Sequence, residues 1–224
     1  MEKYDVIIIG AGITGLSSAY HLKEENRDLR MAIVERMPTY AQGNTGKSDA
    51  AFRDIFTSEM NYKLSSSSIA FYKHVQNDLG YDLGMHFNGY LFLMDEKDLS
   101  SEKIERARRR TETEILTRDD IRNLGIEVSP SKEAREIMNL REIGGGLLGK
   151  NCGILEPQNI ASYYAGELER MGVDFYYSNP VLRLNLDPVK RIDYPGEPFI
   201  WQDKIIGSIE TKNGRMQADQ YILA

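Results

Sequence analysis

Apolar positions along the chain run in two textures. Near the amino end, Val6-Ile7-Ile8-Ile9 is an unbroken apolar run, the pattern of a strand buried on both faces of a parallel sheet. It stops at Gly10. Helical spacing begins about Thr14 and carries Leu16, Ala19, Tyr20 and Leu22, after which Met31-Ala32-Ile33-Val34 reads as a second buried strand. A loop-like stretch from Pro38 to Ser48 follows. A long helix is predicted next, capped by Thr57 or Ser58 and ending at Gly80, with Leu64, Phe71, Val75 and Leu79 as its core stripe. His74 lies beside that stripe and reads as structural.

From about residue 81 the texture changes. The run from Met85 to Met94 is aromatic and β-rich, with Gly89 suggesting a bulge. Charged helical segments follow from Ser100 to about Thr113 and from Thr117 to Leu124, and Gly144-Gly145-Gly146 interrupts the chain before Leu147-Leu148. Residues 81–150 therefore read as an inserted second domain. The first texture then returns. A helix runs from Pro157 to Met171, and strands are expected at Val173 to Tyr177 and Val181 to Leu184. After an excursion over 187–200, a hairpin joins Lys204 to Thr211 with Arg215 to Ala218 across Asn213-Gly214. Tyr221 to Ala224 reads as a separate buried strand. A buried strand with nothing to cover it leads to the expectation that the chain is part of a longer protein or is completed by a partner chain.

The turn between the first strand and helix holds the most informative chemistry. Gly10-Ala11-Gly12-Ile13-Thr14-Gly15 places one glycine for a sharp turn, one where a phosphate can approach the backbone, and one where the helix must pack close to the strand. The unpaired N–H groups of the helix then face the phosphate. Glu35 ends the second strand twenty positions after Gly15, where an acidic side chain accepts hydrogen bonds from ribose hydroxyls. Glycine-rich turns also arise by chance, but here strand, turn, helix, strand and acid occur in order, which defines a dinucleotide site. The loop Gly43-Asn44-Thr45-Gly46-Lys47-Ser48, beyond the carboxyl edge of such a sheet, is either plain connection or a segment that closes over the dinucleotide; its aperiodic length favours the second.

The chain has 224 residues, a formal charge of −6 and 28% charged residues, which argues against a nucleic-acid partner. The Arg106, Arg108, Arg109, Arg110 cluster is followed by Glu112 and Glu114 and reads as a solvated helix face. Cys152 is the sole cysteine, so neither an intrachain disulfide nor a thiolate metal cluster can form, and no metal site is expected. It reads as a packed residue rather than a nucleophile. No apolar run has the length of a membrane span, so an integral membrane protein is not expected. The first strand begins at once, without room for a signal peptide, and the expected setting is cytoplasmic.

With these pieces in order, the chain resembles the amino-terminal half of flavoproteins of the D-amino-acid oxidase superfamily, in particular sarcosine oxidase β subunits and proline, dimethylglycine and glycine oxidases and dehydrogenases. The resemblance rests on Asp5 to Gly15 with Glu35-Arg36, on Gly43 to Ser48 through Phe52-Arg53, and on Leu155-Glu156-Pro157-Gln158-Asn159 through Val181. It implies an α/β fold: a Rossmann-like FAD-binding domain over 1–80 and 151–224, with an inserted α+β substrate domain over 81–150. It implies FAD held by Gly10, Gly12, Ile13, Thr14, Gly15, Glu35, Arg36, Thr45, Gly46, Lys47, Ser48 and Val181. Residues 38–56 lack the histidine that tethers flavin covalently in some relatives, so noncovalent FAD is implied. The implied reaction is oxidation of a small amine or amino acid by hydride transfer to flavin. Oxidation of a 2-hydroxy acid or glycerol phosphate, or a non-catalytic flavin-binding subunit, are the alternatives. An oligomer or partner subunit is possible in either case. Arg53 falls where relatives place an arginine close to flavin and substrate; the competing reading is a surface arginine paired with Asp54 or Glu59.

Overall fold

A computed structural model describes residues 3–224. At the amino end, β1 (Lys3–Ile9), α1 (Ile13–Glu25) and β2 (Met31–Val34) form a βαβ unit whose strands pair in parallel. Val6, Ile7, Ile8 and all of β2 are buried, hence the unbroken apolar runs. Past the end of α1 the buried Lys23 donates to the carbonyls of Arg27 and Leu29, both at 2.7 Å, fixing the turn into β2. There follow β3 (Ala51–Phe52), α2 (Glu59–Lys73), β4 (Tyr90–Met94), α3 (Glu96–Leu99), α4 (Glu102–Arg108), β5 (Thr113–Thr117), α5 (Arg118–Asn123), α6 (Lys132–Met138), β6 (Gly145–Gly149) and β7 (Gly153–Ile154). The chain ends with α7 (Pro157–Arg170), β8 (Asp174–Tyr176), β9 (Val181–Pro188), β10 (Lys204–Thr211) and β11 (Gly214–Leu223).

Two compact units result. One runs to Ser48 and resumes over Pro157–Ala224; the other is Asp49–Glu156. The sequence reading drew the boundaries at 80 and 151, and they fall elsewhere because α2 packs with the second unit. Tyr62 donates to the carbonyl of Arg110, Lys73 to Asn151, and Gln76 exchanges two bonds with Met85.

The first unit is a six-stranded sheet in the order β8-β2-β1-β11-β10-β9. Strands β8, β2, β1 and β11 are parallel, and β10 and β9 extend the sheet antiparallel. Tyr4, Ile7, Ala32, Val34, Ile209 and Ala218 form a core across both parts. The last two expected strands are one continuous strand. β11 pairs with β10 through Met216 and with β1 through Tyr221, Ile222 and Leu223, so a single strand joins the hairpin to the parallel sheet. On α1, Tyr20 meets Tyr163 and Tyr164 of α7, with ring centroids 6.0 and 5.3 Å apart.

The second unit holds a three-stranded antiparallel sheet, β4-β6-β5, with short helices and the β3–β7 pair. Its central strand overturns the reading of the triple glycine as an interruption. A side chain at Gly145 would sit 2.7 Å from the carbonyl oxygen of Leu116, and one at Gly146 would sit 2.8 Å from Leu91 Cδ1, so glycine is what admits the flanking strands and their apolar side chains. In α2, Ser58 caps as expected, accepting from Asn61 N–H. The expected core stripe is only partly buried. Ile69 and Val75 are inside, while Leu64 and Leu79 are more than half exposed. Leu64 precedes the buried Ile69 by five residues, roughly 140° around the helix, and so faces away from the core. A π-helical turn over His74–Asp78 then shifts the phase, and His74 bonds Asp78 at its exposed edge.

Candidate functional site

In the first unit the carboxyl ends of β1, β2 and β11 open onto a groove of about 400 Å³. Gly10, Gly12, Ile13, Thr14, Glu35, Arg36, Thr45 and Val181 line it together. This is where an open parallel sheet offers a ligand site.

Each side of the groove is built by close approach. Gly10 has φ +112°, and a Cβ there would lie 2.5 Å from the carbonyl oxygen of Ala224. Gly15 faces inward rather than lining the groove. Its Cβ would lie 2.1 Å from the Gly10 carbonyl oxygen, so only glycine lets α1 start directly against β1. Gly12 caps α1 with ordinary extended backbone and no side-chain cap. The missing cap comes from the distant loop, where Thr45 Oγ1 accepts from Ile13 N–H at 3.0 Å. A side chain on Gly12 would meet only that Thr45 oxygen, at 3.3 Å, with the rest of its surroundings open to the groove.

The loop itself is pinned on two sides. Ala41 N–H donates to the Ala11 carbonyl at 2.9 Å, tying the loop to the glycine turn. At Gly46 a Cβ would sit 2.6 Å from Gln158 Nε2, and that amide donates to the Ala41 carbonyl at 3.4 Å. Gly46, Lys47 and Ser48 therefore support the loop, with Lys47 exposed and Ser48 Oγ donating to the Thr45 carbonyl at 2.8 Å; none of the three lines the groove. Gly43 and Asn44 of the loop expected to close over the dinucleotide also line it, as do Ile9, Val34, Met37, Ala41, Gln42, Pro180 and Ala224, which were not singled out from sequence. Ile9, Val34 and Ala224 sit at the carboxyl ends of β1, β2 and β11, and that position could have flagged them; Met37, Ala41 and Gln42 come from the loop after β2.

Glu35 is oriented by the backbone. Its Oε2 accepts from Ala11 N–H at 2.7 Å and its Oε1 from Met37 N–H at 2.8 Å. Its own main chain is fixed by the Tyr176 carbonyl and by Asn179 N–H, each at 2.9 Å. A carboxylate oxygen accepts more than one bond, so each oxygen keeps capacity for a ligand hydroxyl. A glycine cradle that a Cβ would close, a helix N-terminus and a fixed carboxylate together fit the phosphates and ribose of an adenine dinucleotide.

Arg53 belongs to the second unit. The two ion pairs weighed for it, with Asp54 and with Glu59, are not formed. Glu59 pairs with Lys63 at 2.8 Å. The buried Asp54 accepts from Thr111 Oγ1 at 2.8 Å and from Asn151 Nδ2 at 2.6 Å. Instead the half-buried guanidinium lies over Phe56, Tyr90 and Phe92, 5.0, 5.4 and 5.1 Å from their ring centroids. Cys152 is fully buried beside Asp54, and burial pushes its thiol pKa up, opposite to what a nucleophile needs. Among the described residues no group of three or more His, Cys, Asp or Glu could hold a metal ion, and no helix is long and apolar enough to cross a membrane.

Residues 5–224 match the model of the DAO family, described as FAD dependent oxidoreductase, and the chain belongs to that family. Its α/β fold, with the Rossmann-like unit, and its family's dependence on FAD agree with the resemblance read from sequence. Among curated relatives, FAD-dependent oxidoreductase domain-containing protein 1 of Xenopus laevis is 37% identical over 105 residues, 43% of this chain and 21% of that protein. Sarcosine oxidase subunit beta of Rhodobacter capsulatus is 25% identical over 187 residues, 80% of this chain and 43% of that protein. Among solved structures, L-proline dehydrogenase from P. horikoshii shares the fold with a TM-score of 0.71 at 20% identity, over 100% of this chain and 53% of that one. Glycine oxidase from Geobacillus kaustophilus does so with a TM-score of 0.66 at 19% identity, over 100% of this chain and 55% of that one. The chain thus spans less than half the length of these curated relatives and about half that of the solved structures.

Proposed function

We propose that this chain carries the FAD-binding part of an enzyme that oxidises the C–N bond of a small amine or amino acid, of sarcosine, proline or glycine type. The observation that carries the reading is the groove at the carboxyl ends of β1, β2 and β11, where two sequence-distant motifs meet through the Ile13–Thr45 bond. Gly10, Gly12, Ile13 and Thr14 would hold the pyrophosphate, with Gly15 setting the close start of the helix behind them. Glu35 would hold the adenosine ribose, with Arg36 and Val181 toward the adenine, and Thr45 would meet the cofactor on the loop that Gly46, Lys47 and Ser48 hold in shape. Bound FAD supplies the two-electron acceptor for hydride from the carbon next to nitrogen. The chain's own residues bind and orient; no side-chain nucleophile is called for, in keeping with the buried, raised thiol of Cys152. Arg53 is the group proposed to meet a substrate carboxylate, since a guanidinium without an acidic partner offers two parallel N–H donors. The names of the sarcosine and proline relatives support the substrate class, and the subunit name of the first supports a partner chain.

The test uses the full-length polypeptide loaded with FAD. Acid precipitation is expected to release the yellow chromophore to the supernatant; chromophore in the pellet would refute noncovalent binding. Anaerobic addition of sarcosine, proline or glycine is expected to bleach the flavin with at least one of them. Flavin that stays oxidised with every amine would refute the enzymatic reading, and failure to take up FAD at all would refute the site.

A further inference from the structure

We propose that Phe56, Tyr90 and Phe92 are positioning residues that hold the Arg53 guanidinium as a carboxylate receptor while leaving its charge unanswered. The inference deepens the reading of Arg53 given above and rests on it. A guanidinium can be held by an acid or by rings. An acid fixes it through the same N–H fork that a ligand carboxylate needs, and so occupies the site. Rings attract its positive charge without supplying a carboxylate, so no acid occupies the N–H fork. Arg53 is held the second way, its guanidinium carbon 5.0, 5.4 and 5.1 Å from the ring centroids of Phe56, Tyr90 and Phe92.

Three observations separate this from ordinary core packing. First, Arg53 forms no ion pair among the described residues, although Asp54 is its neighbour in sequence. That carboxylate is buried and turned to Thr111 and Asn151, and Asn151 Oδ1 in turn accepts from Lys73 Nζ at 2.6 Å. The acid adjacent in sequence is thereby engaged elsewhere. Second, the rings are placed as a set. Tyr90 and Phe92 alternate along β4 and so point to one face, their centroids 4.7 Å apart, while Phe56 follows Arg53 by three residues. Third, the cage is open. Arg53 is only half-buried and Tyr90 is 37% exposed, so an anion can reach the donors. Leaving a partly desolvated cation unpaired is unfavourable, and contact with three rings offsets part of that cost.

The test reads Arg53 directly. In FAD-loaded protein labelled with nitrogen-15, the Arg53 Nε signal, assigned by its loss in Arg53→Met, is followed during titration with sodium acetate at constant ionic strength. A saturable shift is expected. Phe92→Leu and Tyr90→Leu are expected to weaken acetate binding about tenfold each, as the guanidinium loses its fixed pose. Tyr90→Phe and Phe92→Tyr keep a ring and are expected to stay within about twofold of the parent. Tyr90→Glu, which offers Arg53 an acid, is expected to abolish the shift while circular dichroism shows a folded chain. If both leucine variants bind acetate as the parent does, the rings are packing and the inference falls, while the reading of Arg53 stands. If the parent itself shows no saturable shift, that reading falls and the inference with it.

Discussion

Both units of the chain use glycine to bring groups closer than a side chain allows, yet they do opposite things with the space. In the first unit a Cβ on Gly12 would meet a single atom, Thr45 Oγ1 at 3.3 Å, beside an open groove. In the second, a Cβ on Gly149 would lie 2.1 Å from Ile55 Cδ1 and 2.9 Å from Cys152 Sγ, inside a core that also holds Leu147 and Ala107. One glycine keeps room for a ligand. The other lets neighbouring side chains take the room. A glycine in a sequence therefore announces close approach but not what approaches, and the surrounding pattern has to decide.

The contrast can be broken by substitution. The largest effect is expected for Gly15→Ala, whose Cβ would lie 2.1 Å from a backbone oxygen that cannot swing away. Shifting α1 off β1 should cost about 3 kcal/mol or more and remove FAD binding with it. Urea denaturation and flavin titration check both, and a parent-like midpoint would mean the helix start tolerates movement. Gly12→Val should separate the two properties. FAD affinity is expected to fall at least about a hundredfold, because the branched side chain takes the place of the phosphate, with the unfolding midpoint close to that of the parent. Gly149→Ala is expected to do the reverse, costing about 1–3 kcal/mol by overpacking Ile55, without touching any residue of the groove. If Gly149→Ala proves neutral, the β6 core is looser than its distances imply.

What could be read in advance follows the same line. Segment Asp5 to Gly15 with Glu35 was legible because strand period, turn glycines, helix spacing and acid all agree on one local unit, and the groove forms around it. The triple glycine at 144–146 was misread because β6 is defined by what Leu91, Leu116 and Ile121 bring from other strands and helices, which no local window contains. Leu64 was misplaced in the core for a related reason. Helical spacing shows that a stripe exists, but the small Ser65 and Ser66 share the packed side with Ile69, and periodicity alone does not select that face. At Arg53 the sequence left two readings open, and two of the three rings that meet it come from β4, more than thirty residues on.

The finest test of the contrast is Glu35→Gln, where the space is unchanged and only chemistry differs. Glu35 accepts one backbone N–H on each oxygen, from Ala11 and from Met37. An amide has one oxygen, so its NH2 group must face one of those two N–H groups, donor against donor. Either the Ala11 bond, which orients the carboxyl group toward the glycine turn, or the Met37 bond is lost. The remaining bond and the fixed main chain at Asn179 and Tyr176 keep the side chain near its place, so the fold should hold. A ribose hydroxyl would then find a neutral acceptor in place of a charged one. Hydrogen bonds to charged groups contribute about 1.5–3 kcal/mol against about 1 for neutral ones. FAD affinity is accordingly expected to fall about 2- to 30-fold, less than for Gly12→Val, with the reduction rate of saturated enzyme unchanged. Titration of the apoprotein with FAD measures the first and anaerobic stopped-flow reduction the second. A variant that holds FAD as tightly as the parent would show that Glu35 serves only to tie Ala11 and Met37 together, and that the ribose is held elsewhere in the groove.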